Sequence, residues 1–186
     1  MRNIIAYLKY PFVCAALKDD SVYHLVAMDA ARWGENSNPT SKEIFDLLMK
    51  QKNFRSVFLF RVKNTRLNPV LKRMFRGNPN IELNTPVIGG GLICYHNIGC
   101  VVAAESIGEN VSISQGVTIG QGGYGNGGEK KPTIGNNVRI GTNAIVIGGV
   151  HIEDGVVIGA GSVITKDVPH NAIVVGNPQR IIKYKD

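Results

Sequence analysis

The stretch TIGNNVRIGTNAIVIGGVHIEDGVVIGAGSVITKDVP, residues 133–169, carries an aliphatic residue at every sixth position. Residues six apart share one face of an extended chain but scatter around a helix, so the pattern excludes a helix. Gly, Asn and Asp are frequent between them and favour tight turns, which predicts short strands joined by turns. A hexapeptide period is the signature of a parallel β-helix, in which stacked coils bury each other's apolar edges. The six aliphatic residues are Ile134, Ile140, Val146, Ile152, Ile158 and Ile164.

The same register continues upstream at Ile107, Ile113 and Ile119. The step from Ile119 to Ile134 is one repeat plus nine residues, and the intervening segment 120–132 holds six glycines. Such a segment cannot continue the strand pattern, so we expect an inserted loop at 120–132. The sequence predicts a β-solenoid over residues 81–175, followed by a C-terminal tail at 176–186.

Residues 1–80 have a different pattern, with very few glycines. The segment SKEIFDLLMKQ begins at Ser41 and carries Glu43 in its first turn, which is typical of a helix start. The segments NFRSVFLFRV and NPVLKRMFR predict two further helices, with the last ending at Gly77 to Pro79. We therefore expect a small helical N-terminal domain over residues 1–80.

Basic residues are concentrated in one part of this helical domain. The net charge is +7, and nine Lys or Arg lie between Lys50 and Arg76, with no acidic residue between Asp46 and Glu82. Such a surface attracts polyanions and membrane headgroups and would support peripheral membrane association. The favoured interpretation is a solvated helical face. Nucleic-acid binding is not expected, because no stacking aromatics or nucleic-acid motif accompany the charge.

The composition is that of an ordinary soluble protein, with 44% hydrophobic residues. The N-terminal apolar run is interrupted by Lys9 and Pro11 and lacks a cleavage site, so a signal peptide is not expected. Three cysteines form neither a pairable set nor a metal-binding spacing. A reducing cytoplasm is the expected compartment.

His96, in the segment CYHNIG, is the leading candidate for a catalytic group. Glu82 precedes it by 14 residues, near the length of one coil, so its carboxylate is expected about 5 Å from the imidazole. A carboxylate on one ring nitrogen leaves the other basic enough to deprotonate a hydroxyl near pH 7. Without such a partner, His96 would be a polar residue on a solenoid wall.

These residues lie in a longer stretch of sequence that resembles the hexapeptide-repeat acyltransferases. Within that family it is most similar to the serine acetyltransferase-like branch, which includes polysaccharide O-acetyltransferases. The matching segments include IELNTP, YHNIGCVV, IGENVSISQGVTIG and the repeat from residue 133 to IVVGNPQRII, and together they span residues 81–183. The resemblance implies a left-handed parallel β-helix, a homotrimer and acetyl-CoA as acyl donor. It also implies that His96 is the general base and that Glu82 replaces the family's orienting Asp.

The resemblance also assigns residues to the donor site. Ala160, Thr165 and Lys166 match positions that line the pantetheine and phosphate path, and Thr142 matches a small hydroxyl residue of the same groove. Two further matches, Arg180 and Lys183, are basic residues near the 3′-phosphate; the alternative for both is a solvated tail. Backbone N–H groups near Gly120 are expected to stabilise the oxyanion formed during transfer. No metal is expected.

The acceptor site departs from that of serine acetyltransferases. Tyr95 stands where they carry an Asp before the base, and EKKPT, with Lys130 and Lys131, replaces a segment whose Arg and His hold serine. An aromatic ring beside the base suits a sugar face, and two lysines suit a phosphate or uronate. We therefore expect O-acetylation of a saccharide hydroxyl in surface-polysaccharide synthesis, with serine O-acetylation as the alternative.

Two other classes of function are weighed from the residues alone. The fold also serves zinc enzymes of the carbonic anhydrase type, but His96 and His151 are expected more than two coils apart, about 12 Å, which is too far for one zinc ion. A non-catalytic scaffold is the second, because fold does not fix function. Thermal stabilisation by CoA would distinguish an enzyme from a scaffold.

Overall fold

The computed structural model describes residues 7–34, 36–96, 98–122 and 130–185. The chain divides into two compact units, Met1–Pro79 and Asn80–Asp186. Among the described residues, no helix has the length and apolar character needed to cross a lipid bilayer.

The first unit is helical. Thr40 caps the central helix, because its hydroxyl accepts from the Glu43 N–H while the Glu43 carboxylate accepts from the Thr40 N–H. The last helix ends at Met74 and not at Gly77 to Pro79 as expected, because the backbone turns extended at Phe75. The helices are α1 (Tyr10–Ala16), α2 (Asp20–Ala31), α3 (Ser41–Lys50), α4 (Lys52–Arg61) and α5 (Asn68–Met74).

A buried ion pair joins two helices of this unit. The Arg61 guanidinium of α4 donates to both carboxylate oxygens of Asp29 on α2, at 2.8 and 3.0 Å. The two side chains are only 2% and 1% exposed. Around them the helices bury an aromatic and aliphatic core that includes Phe54, Phe58 and Ile44. Arg61 therefore belongs to the interior and not to the basic surface of residues 50–76.

The second unit is a parallel β-solenoid, as the hexapeptide period predicts. The strands are β1 (Ile81–Leu83), β2 (Val87–Ile88), β3 (Ile93–Cys94), β4 (Cys100–Val102), β5 (Ser106–Ile107), β6 (Ser112–Ile113), β7 (Thr118–Gly120), β8 (Thr133–Ile134), β9 (Arg139–Ile140), β10 (Ile145–Ile147), β11 (His151–Ile152), β12 (Val157–Ile158), β13 (Val163–Ile164), β14 (Ala172–Val175) and β15 (Arg180–Tyr184). They form three sheets, which we call the first (β1-β4-β7-β10-β13), the second (β2-β5-β8-β11) and the third (β3-β6-β9-β12-β14-β15).

The strand register confirms the predicted repeat. Ile119 pairs with Val146, which pairs with Ile164, so residues 18 apart stack within one sheet once the insertion is passed. The equivalent residues of the second and third sheets also stack, and all of them are buried. Burial of one aliphatic column per sheet holds the coils together. The insertion lies between β7 and β8, and residues 123–129 of it are outside the described part of the chain.

The C-terminal tail contains a strand that the sequence pattern did not predict. β15 pairs antiparallel with β14 at the end of the third sheet, with Arg180 opposite Val175 and Lys183 opposite Ile173. It covers the last edge of a sheet whose other pairs are parallel. Because this strand follows a reversal of the chain, it lies outside the hexapeptide register that predicts the coils.

Candidate functional site

His96 lies in the turn between the third and first sheets, which we call the histidine corner (described residues 95–96, 98–99, 114–117, 141–144 and 159–162). By the strand register, Val101 follows Cys94 by seven positions, two more than the five that separate the equivalent residues of the next three coils. His96 adopts a left-handed conformation with φ of 52°. A positive φ is uncommon for a residue with a side chain and is tolerated where the surrounding structure enforces it, often at functional sites. Asn143, in the regular turn of a later coil, also has a positive φ, of 57°, so the feature that distinguishes the first turn is its greater length.

The surroundings of His96 are open and partly apolar. His96 is exposed, and its neighbour Tyr95 is 44% exposed. Ile98, on the other side of His96, is 61% exposed, and the Ile98 N–H donates to the His96 carbonyl. The corner therefore offers an accessible imidazole flanked by an aromatic and an aliphatic side chain.

Glu82 lies on β1 and does not follow the spacing expected from the sequence. It pairs with Val101, because the longer histidine corner lengthens the first coil, so the expectation that Glu82 and His96 lie one coil apart is wrong. The Glu82 carboxylate accepts a hydrogen bond from the Asn84 side-chain amide. Among the described residues, no hydrogen bond joins Glu82 to the His96 ring. An orienting role for Glu82 stays a prediction.

Two residues assigned to the donor site lie in the histidine corner, above His96. His96, Thr142 and Ala160 each stand two residues beyond a strand residue of one stacked column, formed by Cys94, Ile113, Ile140 and Ile158. The turns of the upper coils are tied by backbone bonds such as Gly161 N–H to Thr142 carbonyl at 2.8 Å. The first turn departs from this stacking: the Gly116 N–H donates to the Ile98 carbonyl, as the Asn143 N–H does to that of Gln115, so Ile98 and not His96 continues the column of Gln115 and Thr142.

A second group of assigned residues lies at the other edge of the first sheet, in the turn toward the second sheet. We call this turn the lysine corner (described residues 84–86, 103–105, 121–122, 130–132, 148–150 and 165–167). Lys130 is exposed and its aliphatic part lies on Gly149, where an added Cβ would stand 2.7 Å from the Lys130 Cβ. Thr165 and Lys166 form the same turn in the last coil and are exposed. Lys131 is half-buried in the third coil.

Gly120 ends β7 at the edge that leads into the lysine corner. Nothing lies within 4 Å of a Cβ built on it, and its carbonyl accepts from the Gly148 N–H at 3.1 Å. The first sheet, with strands of up to three residues and a width of about 10 Å, separates it from His96. Within one chain the structure therefore does not bring Gly120 and His96 together.

The C-terminal tail contacts the lysine corner of the last coil through Gln179. The Gln179 side chain bonds to the backbone of Thr165 and Lys166. Arg180 follows Gln179 at the start of β15 and is exposed, as is Lys183. Sequence reasoning missed Gln179, because a lone glutamine in a tail carries no signal until the chain reversal places it on an earlier turn.

The histidines do not form a metal site in the described part of the chain. His151 lies on β11 of the second sheet, where its Nδ1 is 2.6 Å from the Thr133 hydroxyl. His96 belongs to the turn between the other two sheets, so the two rings lie on different faces of one solenoid. Among residues 7–34, 36–96, 98–122 and 130–185, no group of three or more His, Cys, Asp or Glu could hold a metal ion.

The basic segment 50–76 is more varied than its charge suggests. Arg61 is buried against Asp29, and Arg55 donates to the carbonyls of Leu48 and Met49 at 2.5 and 2.8 Å. Burial lowers the pKa of the Arg55 guanidinium. The other seven cations of the segment are exposed. Membrane association through them stays a prediction.

Comparison with known sequences identifies related proteins. The family description "Bacterial transferase hexapeptide (six repeats)" matches residues 131–166. The serine acetyltransferase of Synechococcus elongatus is 33% identical over 157 residues, which cover 78% of this chain and 63% of that protein. The serine acetyltransferase of Bacillus subtilis is 31% identical over 159 residues, covering 79% of this chain and 71% of that protein. The chain thus spans less than two thirds of the length of the Synechococcus elongatus protein.

Comparison with solved structures also finds serine acetyltransferases, which share the fold of this chain. A serine acetyltransferase from Neisseria gonorrhoeae, in complex with serine, superimposes with a TM-score of 0.68 at 31% identity and covers 89% of this chain and 71% of that one. A serine acetyltransferase from Brucella abortus, in complex with coenzyme A, gives a TM-score of 0.64 at 27% identity, over 92% and 72% of the two chains.

Proposed function

The chain belongs to the serine acetyltransferase family, and on this basis we propose that it transfers the acetyl group of acetyl-CoA to the hydroxyl of serine. The saccharide acceptor favoured by the sequence is less well supported, because the similar proteins are named serine acetyltransferases. The observation that carries the proposal is the accessible His96, held in a left-handed backbone conformation in the lengthened turn of the first coil.

His96 acts as general base in this reaction. Its imidazole removes the proton from the acceptor hydroxyl, and the alkoxide attacks the thioester carbonyl of acetyl-CoA. The tetrahedral intermediate collapses, the C–S bond breaks, and the imidazolium returns the proton to the CoA thiolate. No covalent enzyme intermediate is needed. Cys94 and Cys100 are buried beside the site and serve as small core residues.

The donor lies along the histidine corner and the first sheet. Thr142 and Ala160 line the path of the pantetheine arm, because small side chains allow it to approach the backbone. Lys166, Arg180 and Lys183 are exposed cations suited to phosphate groups. The coenzyme A complex of the Brucella abortus relative supports this choice of donor. Acetyl-CoA is made in the cytoplasm, which agrees with the cytoplasm as the compartment of the proposed reaction.

A homotrimer completes the site. An acceptor of serine's size cannot contact both His96 and Lys131, because the width of the first sheet lies between their corners. In a closed three-fold ring of parallel prisms, the histidine corner of one protomer faces the lysine corner of its neighbour. The exposed Tyr95, Ile98 and Val101 then lie in the interface between protomers. Gly120 of the neighbour supplies the oxyanion contact in that arrangement.

A saccharide hydroxyl is the second candidate acceptor, and one observation favours it. Tyr95 exposes 44% of its surface directly beside His96, where an aromatic ring can stack on a sugar face. Lys130 and Lys131 then bind a phosphate or carboxylate of the sugar as point charges. In the serine reaction the same two lysines hold the carboxylate of the amino acid.

Acceptor kinetics separate the two candidates. The release of CoA from acetyl-CoA is measured with L-serine and, in parallel, with a panel of nucleotide sugars and oligosaccharides. Turnover of serine at sub-millimolar KM with no sugar accepted supports the serine proposal. Turnover of a sugar, with no turnover of serine, would contradict the serine proposal and support acetylation of a saccharide hydroxyl. If no hydroxyl acceptor is acetylated and CoA does not bind, the chain is a scaffold.

A further inference from the structure

The side chain of Gln179 bonds at three points to the last turn of the lysine corner. Its Oε1 accepts from the backbone N–H groups of Thr165 and Lys166, at 2.7 and 2.9 Å. Its Nε2 donates to the Lys166 carbonyl at 3.1 Å. One carboxamide thus satisfies three backbone groups of a turn that precedes it by 13 or 14 residues.

These bonds decide how the turn can meet a ligand. Because both N–H groups are already paired with Gln179, they are not available to bind a phosphate. A phosphate contact at this turn must come from the side chains, of which Lys166 carries the charge. In the described part of the chain, the Lys166 and Arg180 side chains have no hydrogen bond or ion pair within the protein.

Gln179 also fixes where the tail begins its last strand. Arg180 follows it directly and opens β15, with Val175 as its partner on β14. The carboxamide therefore ties the turn that carries Lys166 to the residue before Arg180. Two exposed cations of the last coil are thereby tied together through the chain, Lys166 in the lysine corner and Arg180 opposite Val175.

We propose that Gln179 is a positioning residue for the 3′-phosphate of the acyl donor, holding Lys166 and Arg180 where both cations reach that group. The inference rests on the proposed use of acetyl-CoA. Cations held in place lose less conformational entropy on binding a phosphate than cations on a free turn and a free tail. Gln179 itself has its carboxamide committed to the backbone and makes no contact with the donor.

Binding of two CoA forms tests the role. The dissociation constants of CoA and of 3′-dephospho-CoA are measured by calorimetry for the wild type and for Gln179→Ala. The variant should bind CoA roughly tenfold more weakly, equivalent to the loss of one ordered charged contact, and 3′-dephospho-CoA less than about twofold more weakly. Gln51→Ala is the matched control: its amide makes no cap hydrogen bond in the helical unit, so both affinities should stay unchanged.

Hydrogen exchange and thermal unfolding exclude a purely structural effect. Amide exchange at Thr165 and Lys166 should accelerate in Gln179→Ala, while the unfolding midpoint shifts by no more than about 2 °C. Equal weakening of both CoA forms, or no weakening of either, overturns the positioning role and leaves acetyl-CoA as the donor. A wild type that binds neither form overturns the choice of donor and this inference together.

Discussion

His96 and Lys131 lie at opposite edges of the first sheet, one in the turn before β4 and the other in the turn before β8. The sheet between them is about 10 Å wide, several times the length of a hydrogen bond. A small acceptor that needs a base at one end and a cation at the other cannot be held by one chain. This separation leads to a prediction about shared sites.

Mixed oligomers should recover activity from two inactive variants. We expect His96→Ala and Lys131→Glu each to be poorly active alone, because each removes one side of every site. When both chains assemble together, about a quarter of the interfaces in a three-fold ring carry an intact His96 opposite an intact Lys131. CoA release by the co-expressed mixture measures this gain. A mixture no more active than the mean of its parents would place both groups in one protomer's site.

Loss of the proposed base should affect turnover and not donor binding. His96→Ala should lower kcat by roughly 10²–10⁴ with the affinity for CoA unchanged, because the imidazole moves a proton and does not hold the donor. His24→Ala, an exposed histidine of the helical unit, is the control and should keep full activity. Wild-type turnover by His96→Ala would show that another group is the base.

The hexapeptide repeat predicted the solenoid because each aliphatic residue is buried by stacking on its equivalent in the next coil. Ile119, Val146 and Ile164 stack as their spacing requires. The candidate site was predicted less well from the sequence, because its geometry depends on where the hexapeptide repeat is interrupted. Two added residues in the first histidine corner make Val101 the partner of Glu82, so the spacing of 14 residues between Glu82 and His96 is not the length of that coil.

The contacts of the tail could not be inferred from a period. Gln179 meets Thr165 and Lys166 only after the chain has reversed into β15, and no regular spacing encodes that reversal. The division of the site residues between two corners was equally hidden. That division depends on which two sheets each turn connects. The hexapeptide period is the same in all three sheets and does not distinguish them.

The buried ion pair of the helical unit should be a large contributor to its stability only while both partners are present. Asp29→Ala leaves the Arg61 guanidinium buried without its carboxylate, and should lower the free energy of unfolding by about 3–5 kcal/mol. Urea denaturation measures the loss. The double variant Asp29→Leu/Arg61→Met is the control and should be more stable than Asp29→Ala, because no charge remains buried. A double variant as unstable as the single one would show that packing, and not charge, is responsible.

The Asp154 carboxylate should make the solenoid's stability depend on pH in the acid range. The Asn136 backbone N–H donates to it at 2.7 Å and the Asn136 side chain at 3.1 Å, and these bonds hold the pKa of Asp154 below its usual value. A carboxyl whose pKa is lowered by folding stabilises the folded state above its unfolded pKa, near 4, and this stabilisation is lost as the pH falls through the lower folded value. Asp154→Asn should therefore unfold at a lower temperature than the wild type at pH 7, and the difference should shrink below about pH 4. Thermal unfolding of both proteins between pH 7 and pH 3 measures it. A difference that stays constant over that range would mean that the charge on Asp154 contributes nothing to holding the two coils together.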